Sequence, residues 1–223
     1  MSYNVAIDGP AGAGKSTIAK LFAKEMGFIY VDTGAMYRAM GLYFHGKGIT
    51  PQDIDKIKEG CKTVDVSISY ENGKQLVWLN GEDVSKKIRT EEIGGLASSY
   101  AVVPQIREKL VELQQKLATT ADIVMDGRDI GTVVLPNADL KVYLTASVKE
   151  RAKRRYKELI DKGMQVTIEE IEEDIRGRDY RDMNREVSPL KQADDAVVLD
   201  TSFMNIEEAA KALKELFEQR KDA

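Results

Sequence analysis

The chain has 223 residues, 33 Lys and Arg against 37 Asp and Glu, and a formal net charge of −4; its hydrophobic share of 43% and charged share of 31% are a globular balance that predicts one domain with room for an insertion. A pI near 5.3 argues against a protein that blankets nucleic acid, and the single cysteine, Cys61, excludes an internal disulfide framework. The single histidine, His45, excludes a multi-histidine metal site, and no apolar run reaches the roughly 18 residues of a membrane span, so neither a nucleic-acid nor a membrane partner is expected. The start, MSYNVAIDGP, enters a strand with no charged-then-apolar leader, and a cytoplasmic protein is expected.

Val5-Ala6-Ile7 reads as a short buried strand stopped by Asp8-Gly9-Pro10. A helix follows with Ile18, Leu21, Phe22 and Met26 on one face, ended by Gly27. Phe28 to Val31 is a second strand, and a helix over Ala35 to Phe44 comes next. Strand, helix and strand in so short a span make a βαβ unit with a parallel sheet.

Residues 63–84 break that rhythm. Val64, Val66, Ile68 and Tyr70 alternate with polar neighbours, and Asn72-Gly73 and Asn80-Gly81 are hairpin signals, because both turn positions need positive φ. The expectation is a three-stranded antiparallel insert, with Trp78 as a packing residue. The α/β pattern resumes with a helix opened by Pro104 and carrying Ile106, Leu110, Leu113 and Leu117 on one face. Strands are expected at Ile123–Met125, Leu140–Leu144 and Ala196–Leu199, helices at 147–162 and 167–186, and a closing helix through Ile206, Leu213 and Phe217.

Gly9-Pro10-Ala11-Gly12-Ala13-Gly14-Lys15-Ser16 fits the phosphate-loop pattern G-x-x-x-x-G-K-[ST] and lies between an expected strand and an expected helix. Its glycines let backbone N–H groups curl inward, the next helix aims its positive end at the same point, Lys15 adds a mobile charge for the β- and γ-phosphates, and Ser16 can ligate Mg²⁺. Thr17 supplies a further hydroxyl. The guanine-reading signature of a GTPase is missing, which favours a small-molecule kinase.

Such a kinase brings two anions together and needs fixed cations, preferably arginine for its planar fork. Asp32 to Arg38 follows the second strand, and Asp126-Gly127-Arg128-Asp129 follows the third; both belong at the carboxyl ends of parallel strands, where ligands bind. Arg178, Arg181, Asp182 and Arg185 share one helix face, and Asp126 is a candidate to orient Mg²⁺ through water. Residues 149–157 hold six basic side chains against Glu150, either a solvated face or a lid whose arginines close over ATP, with Gly163 supplying slack.

Together the phosphate loop, Asp32-Thr33-Gly34-Ala35-Met36-Tyr37-Arg38, Asp126 to Thr132 and the RDYRDMNR stretch from Arg178 to Arg185 resemble the bacterial cytidylate kinases, over essentially the whole chain. That resemblance implies an α/β P-loop kinase with a five-stranded parallel sheet flanked by helices, a small three-stranded antiparallel insert and a helical lid. It implies a single domain over 1–223, with a core at about 1–60 and 104–223, a monophosphate-binding insert at about 61–103 and a lid at about 149–165. It implies ATP-dependent, Mg²⁺-assisted phosphorylation of CMP and dCMP by a monomer. Gly9 to Thr17 would bind ATP, with Ser16 and Asp126 toward the metal. Arg38, Arg128 and Arg185, with Tyr37 and Gly127, would hold the acceptor phosphate; Arg178 and Asp182 would meet the ribose; Thr33, Ser98, Arg107 and Asp129 would read the base. Lys15, Arg128, Arg185 and the lid arginines Arg151, Arg154 and Arg155 would stabilise the moving phosphoryl group. A kinase of another small acceptor such as shikimate or UMP, a nucleotide sensor without turnover, and an RNA binder using residues 149–157 are the competing readings.

Overall fold

A computed structural model describes residues 2–71 and 73–221. The chain forms two compact units, Met1–Tyr30 with Ala121–Ala223, and Val31–Thr120. The division falls within the second strand.

Five strands form one parallel sheet: β1 (Asn4–Asp8), β2 (Ile29–Asp32), β6 (Ile123–Gly127), β7 (Leu140–Thr145) and β8 (Val197–Asp200), in the order β2-β6-β1-β7-β8. β1 is central, and Val5, Ala6 and Ile7 are wholly buried, which is why the run reads as continuously apolar rather than alternating. The register sets Asp8 opposite Gly127 on one side and Tyr143 on the other, so the carboxyl ends of three strands align. In the first unit the sheet packs on α1 (Lys15–Met26) and α8 (Ile206–Lys221). Phe22, Phe28 and Phe217 meet edge to face at 5.4–5.5 Å, closing that core with aromatic area. α6 (Val148–Asp161) and α7 (Ile168–Asn184) form a helical hairpin with a small core of its own, Ala152, Leu159, Ile171 and Ile175. Thr167 and Glu170 make a reciprocal capping box that starts α7.

The second unit holds α2 (Thr33–Gly46), α3 (Ile54–Thr63), the antiparallel sheet β3 (Val66–Glu71), β4 (Lys74–Leu79) and β5 (Glu82–Asp83), a 3₁₀ turn at Lys87–Arg89, α4 (Glu91–Tyr100) and α5 (Pro104–Ala118). The expected antiparallel insert is present. Asn80 and Gly81 both take positive φ, 50° and 82°, as a tight hairpin turn requires. Of the other expected turn, Gly73 has φ 73°, and Asn72 lies outside the described residues. α2 and α4 approach closely at Gly41, where a Cβ would stand 3.2 Å from the Ala97 nitrogen.

Three expectations are corrected. α2 begins at Thr33 rather than Ala35, because the Asp32 side chain accepts the Ala35 N–H at 2.9 Å and caps the helix. The inward face of α5 is not the leucine stripe: Ile106, Arg107, Leu110, Gln114 and Ala118 are buried, while Leu113 and Leu117 are half-buried. Two polar side chains turned inward rotate the buried face by about one residue from the apolar pattern. α3 and α4 were not anticipated; α3 is short and buries only Ile57, and α4 carries Gly94 and Gly95 in its interior. Among the described residues no helix is long and apolar enough to cross a membrane.

Candidate functional site

In the first unit the loop between β1 and α1 supplies a ring of backbone N–H groups. Gly9 (φ 151°) is forced by packing: a Cβ there would lie 1.9 Å from the Leu144 carbonyl oxygen on β7. Gly14 (φ 92°) starts α1 in a left-handed conformation with no side-chain cap, leaving the helix N-terminus open to an anion. Lys15 is buried, and its Nζ donates to the Pro10 carbonyl at 2.8 Å, so the ammonium is folded back over the loop. Burial, reinforced by the nearby Arg128 charge, pulls its pKa down to about 7 against the opposing pull of Asp126, Asp8 and Asp182.

Ser16 Oγ donates to Asp126 Oδ2 at 2.9 Å, and Tyr30 Oη donates to Asp126 Oδ1 at 2.7 Å. The helix-start hydroxyl and the strand-end carboxylate are therefore adjacent, as the sequence suggested. The next turn of chain carries Arg128, Asp129 and a π-helical turn, Ile130–Val134. Asp8, which sequence reasoning treated only as a strand stop, holds that turn: its carboxylate accepts the Ile130 and Gly131 amides at 2.7 Å each. Burial raises Asp8 to about 6, against those two amide donors, with Asp129 adding to the rise.

Arg128 Nε donates to Asp182 Oδ2 on α7 at 2.8 Å. Burial lowers the Arg128 guanidinium, but Asp182, Asp126 and Asp179 more than offset it and hold it above its ordinary value. Arg185, just past α7, donates from Nε to the Ser188 carbonyl at 2.6 Å and stands 3.8 Å from the Asp129 carboxylate, both side chains nearly inaccessible. Arg178 pairs with Asp174 one turn earlier on α7 at 3.1 Å, and because α7 ends at Asn184 and Arg185 has extended backbone, Arg185 does not share the helix face expected for Arg178, Arg181 and Asp182. The three arginines of α6 differ sharply. Arg151 is buried, with a bidentate pair to Asp179 at 3.1 and 2.6 Å and further bonds to the Ala146 and Ala11 carbonyls at 2.9 and 3.0 Å. Arg154 reaches the Thr201 carbonyl at 2.5 Å. Arg155 is half-buried and pairs with the exposed Glu158 of its own helix at 2.9 Å.

A cavity of 640 Å³ opens beside the loop, lined by Gly14, Lys15, Thr17, Arg154, Thr201 and Ile206 among others. Thr201 is buried, and its hydroxyl lies 3.3 and 3.2 Å from the Ala13 and Thr145 carbonyls, within reach of donating to either the phosphate loop or β7. Thr201, Met204, Asn205, Ile206, Glu207 and Ala209 also line the cavity, and sequence reasoning did not anticipate them.

In the second unit, Thr33, Tyr37 and Arg38 lie on the first turns of α2, Thr33 buried and the others half-buried. The Arg107 guanidinium sits over the Tyr37 ring, 5.4 Å from its centroid, and donates to the Ala101 carbonyl at 3.1 Å. Ser98 is half-buried on α4.

A family model for cytidylate kinase matches residues 5–219. The chain belongs to the cytidylate kinase family. A cytidylate kinase from Caldicellulosiruptor bescii is 51% identical over 214 residues, covering 96% of this chain and 95% of that protein. One from Streptococcus pneumoniae is 49% identical over 220 residues, covering 98% and 99%. An uncharacterized protein from Eubacterium ventriosum shares the fold at 10% identity, with a TM-score of 0.53 over 98% of this chain and 99% of its own. As a member of the cytidylate kinase family the chain is a nucleoside monophosphate kinase, a transferase.

Proposed function

We propose that this protein transfers the γ-phosphoryl group of ATP to CMP or dCMP, giving CDP or dCDP. The observation that carries the reading is the phosphate loop with buried Lys15 and an adjoining cavity, in a chain that matches the cytidylate kinase family from residue 5 to 219.

ATP's phosphates would be wrapped by the amides of Gly9 to Thr17, with its nucleoside in the cavity toward Thr201. Ser16 Oγ and Asp126 are 2.9 Å apart, and this hard-oxygen pair fits Mg²⁺, which takes few protein ligands and keeps several waters. Ser16 would hold the ion directly and Asp126 through water, with Tyr30 fixing the carboxylate. When bound, the ion supplies charge neutralisation at the phosphate oxygens.

The acceptor phosphate is assigned to Arg38, Arg128 and Arg185, helped by Tyr37 and the Gly127 backbone, and the ribose to Arg178 and Asp182. In this conformation Arg128 and Asp182 are bonded to each other, so substrate would exchange that bond for its own. Asp129 is assigned to the cytosine N4 amino group, and Arg107, with Ser98 and Thr33, to the base's acceptor edge. No general base is needed: a phosphate monoester with a second pKa of about 6 is already an anionic nucleophile at neutral pH. Catalysis is then alignment and charge stabilisation by Lys15, the arginines and the metal. Of the lid arginines, Arg154 borders the cavity and takes the ATP-facing role; Arg151 acts through the Ala11 carbonyl of the loop, and Arg155 would need the helical hairpin to move. The protein is read as a cytoplasmic monomer acting on small molecules.

An ADP-release assay with CMP, dCMP, UMP, AMP and shikimate tests the proposal. Preference for CMP and dCMP is expected; turnover favouring another acceptor overturns it.

A further inference from the structure

We propose that Gln75 and Arg89 are positioning residues for the segment Asp32–Arg38, acting through Asp32 to fix where Thr33, Tyr37 and Arg38 point. The role of that segment in holding CMP rests on the function proposed above; the positioning itself does not.

Among the described residues β2 is the last strand on its side of the parallel sheet, so its outer edge has backbone groups without a pairing strand there. At Asp32, the final residue of β2, a side chain takes the place of a strand. Gln75 Oε1 accepts the Asp32 N–H at 2.8 Å, and Gln75 Nε2 donates to the Asp32 carbonyl at 3.3 Å. A carboxamide is suited to this because it offers an acceptor and a donor on one planar head. Gln75 comes from β4, which is held on both flanks: by β3 through the register Tyr70 to Gln75, and by Ser85, whose Oγ accepts the Val77 N–H at 2.8 Å.

The Asp32 carboxylate is engaged on both oxygens. Oδ1 accepts the Ala35 amide at 2.9 Å and so starts α2; Oδ2 accepts Arg89 Nη1 at 3.1 Å from the 3₁₀ turn that follows the meander. Asp32 is buried, whereas nearly half of the Arg89 side chain is exposed (48%). A half-exposed arginine gains little stability from an ion pair, but it can orient a buried carboxylate. Two contacts therefore fix the backbone of Asp32 and two fix its side chain, at the residue immediately before Thr33.

The first turn of α2 is crowded around this anchor. A Cβ at Gly34 would lie 3.3 Å from Asp32 Oδ1 and 3.8 Å from Arg38 Nη1, so carboxylate, helix start and the Arg38 guanidinium are close neighbours. A rotation of the cap would be passed directly to Thr33 and Arg38. Displacements of about 1 Å in a positioning element cost a reaction as much as ~100-fold. Neither Gln75 nor Arg89 is assigned a contact with substrate.

The test uses the full chain with Gln75→Ala, Gln75→Glu, Arg89→Ala and Arg89→Lys, reading kcat, the KM for CMP and the KM for ATP, with hydrogen exchange at the Ala35 amide. Each alanine variant is expected to raise the KM for CMP about tenfold, the effect of one lost charged or bidentate hydrogen bond, with the KM for ATP within about twofold of wild type. Ala35 exchange should accelerate in both. Arg89→Lys should recover most of the loss, because an ammonium can still donate to Oδ2. Gln75→Glu should behave like Gln75→Ala, because it sets a carboxylate against the Asp32 carbonyl. An unchanged KM for CMP, or parallel rises in both KM values with no rescue by lysine, overturns the proposal. If the wild-type chain does not phosphorylate CMP, the proposed function fails on its own, and the Ala35 amide still decides: unchanged exchange in both alanine variants overturns the positioning role.

Discussion

Asp8 accepts the Gly131 amide at 2.7 Å across 123 residues of sequence, and with the matching bond from Ile130 it ties the end of β1 to the turn that follows Asp129. The carboxyl is raised to about 6, chiefly by burial. A folded-state pKa above the unfolded value of 3.8 means that the folded protein holds its proton to higher pH. The contribution of this group is therefore fully present below about pH 4 and is lost as pH rises to about 6, by up to about 3 kcal/mol. Asp8→Asn does not titrate, so urea unfolding of the two proteins at pH 4.5 and 6.5 should give a stability difference that shrinks in the variant's favour as pH rises. The asparagine can accept only one of the two amides, which lowers its stability at both pH values by about 1–3 kcal/mol. A pH-independent difference would sink this account of Asp8.

Lys15 gives a second linkage, of the opposite charge type. Its pKa near 7 in the nucleotide-free protein means that at pH 8 it is mostly neutral. In folding, a lysine depressed from 10.5 costs stability that is recovered as pH rises from about 7 to about 10. In binding, a triphosphate restores the charged form. Calorimetric titration of ATP in buffers of different ionisation enthalpy should show proton uptake approaching one per site at pH 8 and much less at pH 6. Lys15→Met should abolish the uptake at pH 8. Equal uptake in wild type and variant would assign the proton elsewhere.

Much of this was legible because it is local in sequence. The phosphate loop, the Gly27 stop, the Pro104 start and the Asn80-Gly81 turn each depend on a backbone conformation that one or two residues dictate. The burial of Arg107 and Gln114 was not legible, because polar residues facing inward carry no periodic signal. Nor were Asp8, Gln75 and Arg89: each works through bonds to partners between 43 and 123 residues away, and no spacing rule connects them. α6 showed the same limit. Its charge run was plain, but only the fold separates the buried Arg151 from the half-buried Arg155.

That separation makes the arginines distinguishable by experiment. Arg151→Ala would leave Asp179 buried without its bidentate partner and release the Ala11 carbonyl, so a loss of about 3–5 kcal/mol in unfolding free energy is expected. Arg155→Ala should change stability by less than about 0.5 kcal/mol. Arg154→Ala should leave the fold intact and raise the KM for ATP, since the side chain lines the cavity. Denaturation midpoints with steady-state kinetics check all three; similar stability losses for Arg151→Ala and Arg155→Ala would contradict the geometry.

Base discrimination is the most specific consequence of the proposed function. Asp129 is buried, and a carboxylate can only accept, which matches the cytosine N4 amino group and opposes the uracil O4. Asp129→Asn replaces one oxygen with a donor, so its amide can turn to serve either base. The ratio of kcat/KM for CMP over UMP should fall by about ten- to a hundredfold, chiefly because UMP improves. Asp129→Ala removes the acceptor altogether and should lower the same ratio by weakening CMP. Arg185, 3.8 Å from Asp129, is a control: Arg185→Ala should reduce kcat for both substrates while leaving their ratio near wild type, because its assigned partner is the phosphate and not the base. An unchanged CMP-to-UMP ratio in both Asp129 variants would move base reading to Arg107 and Ser98.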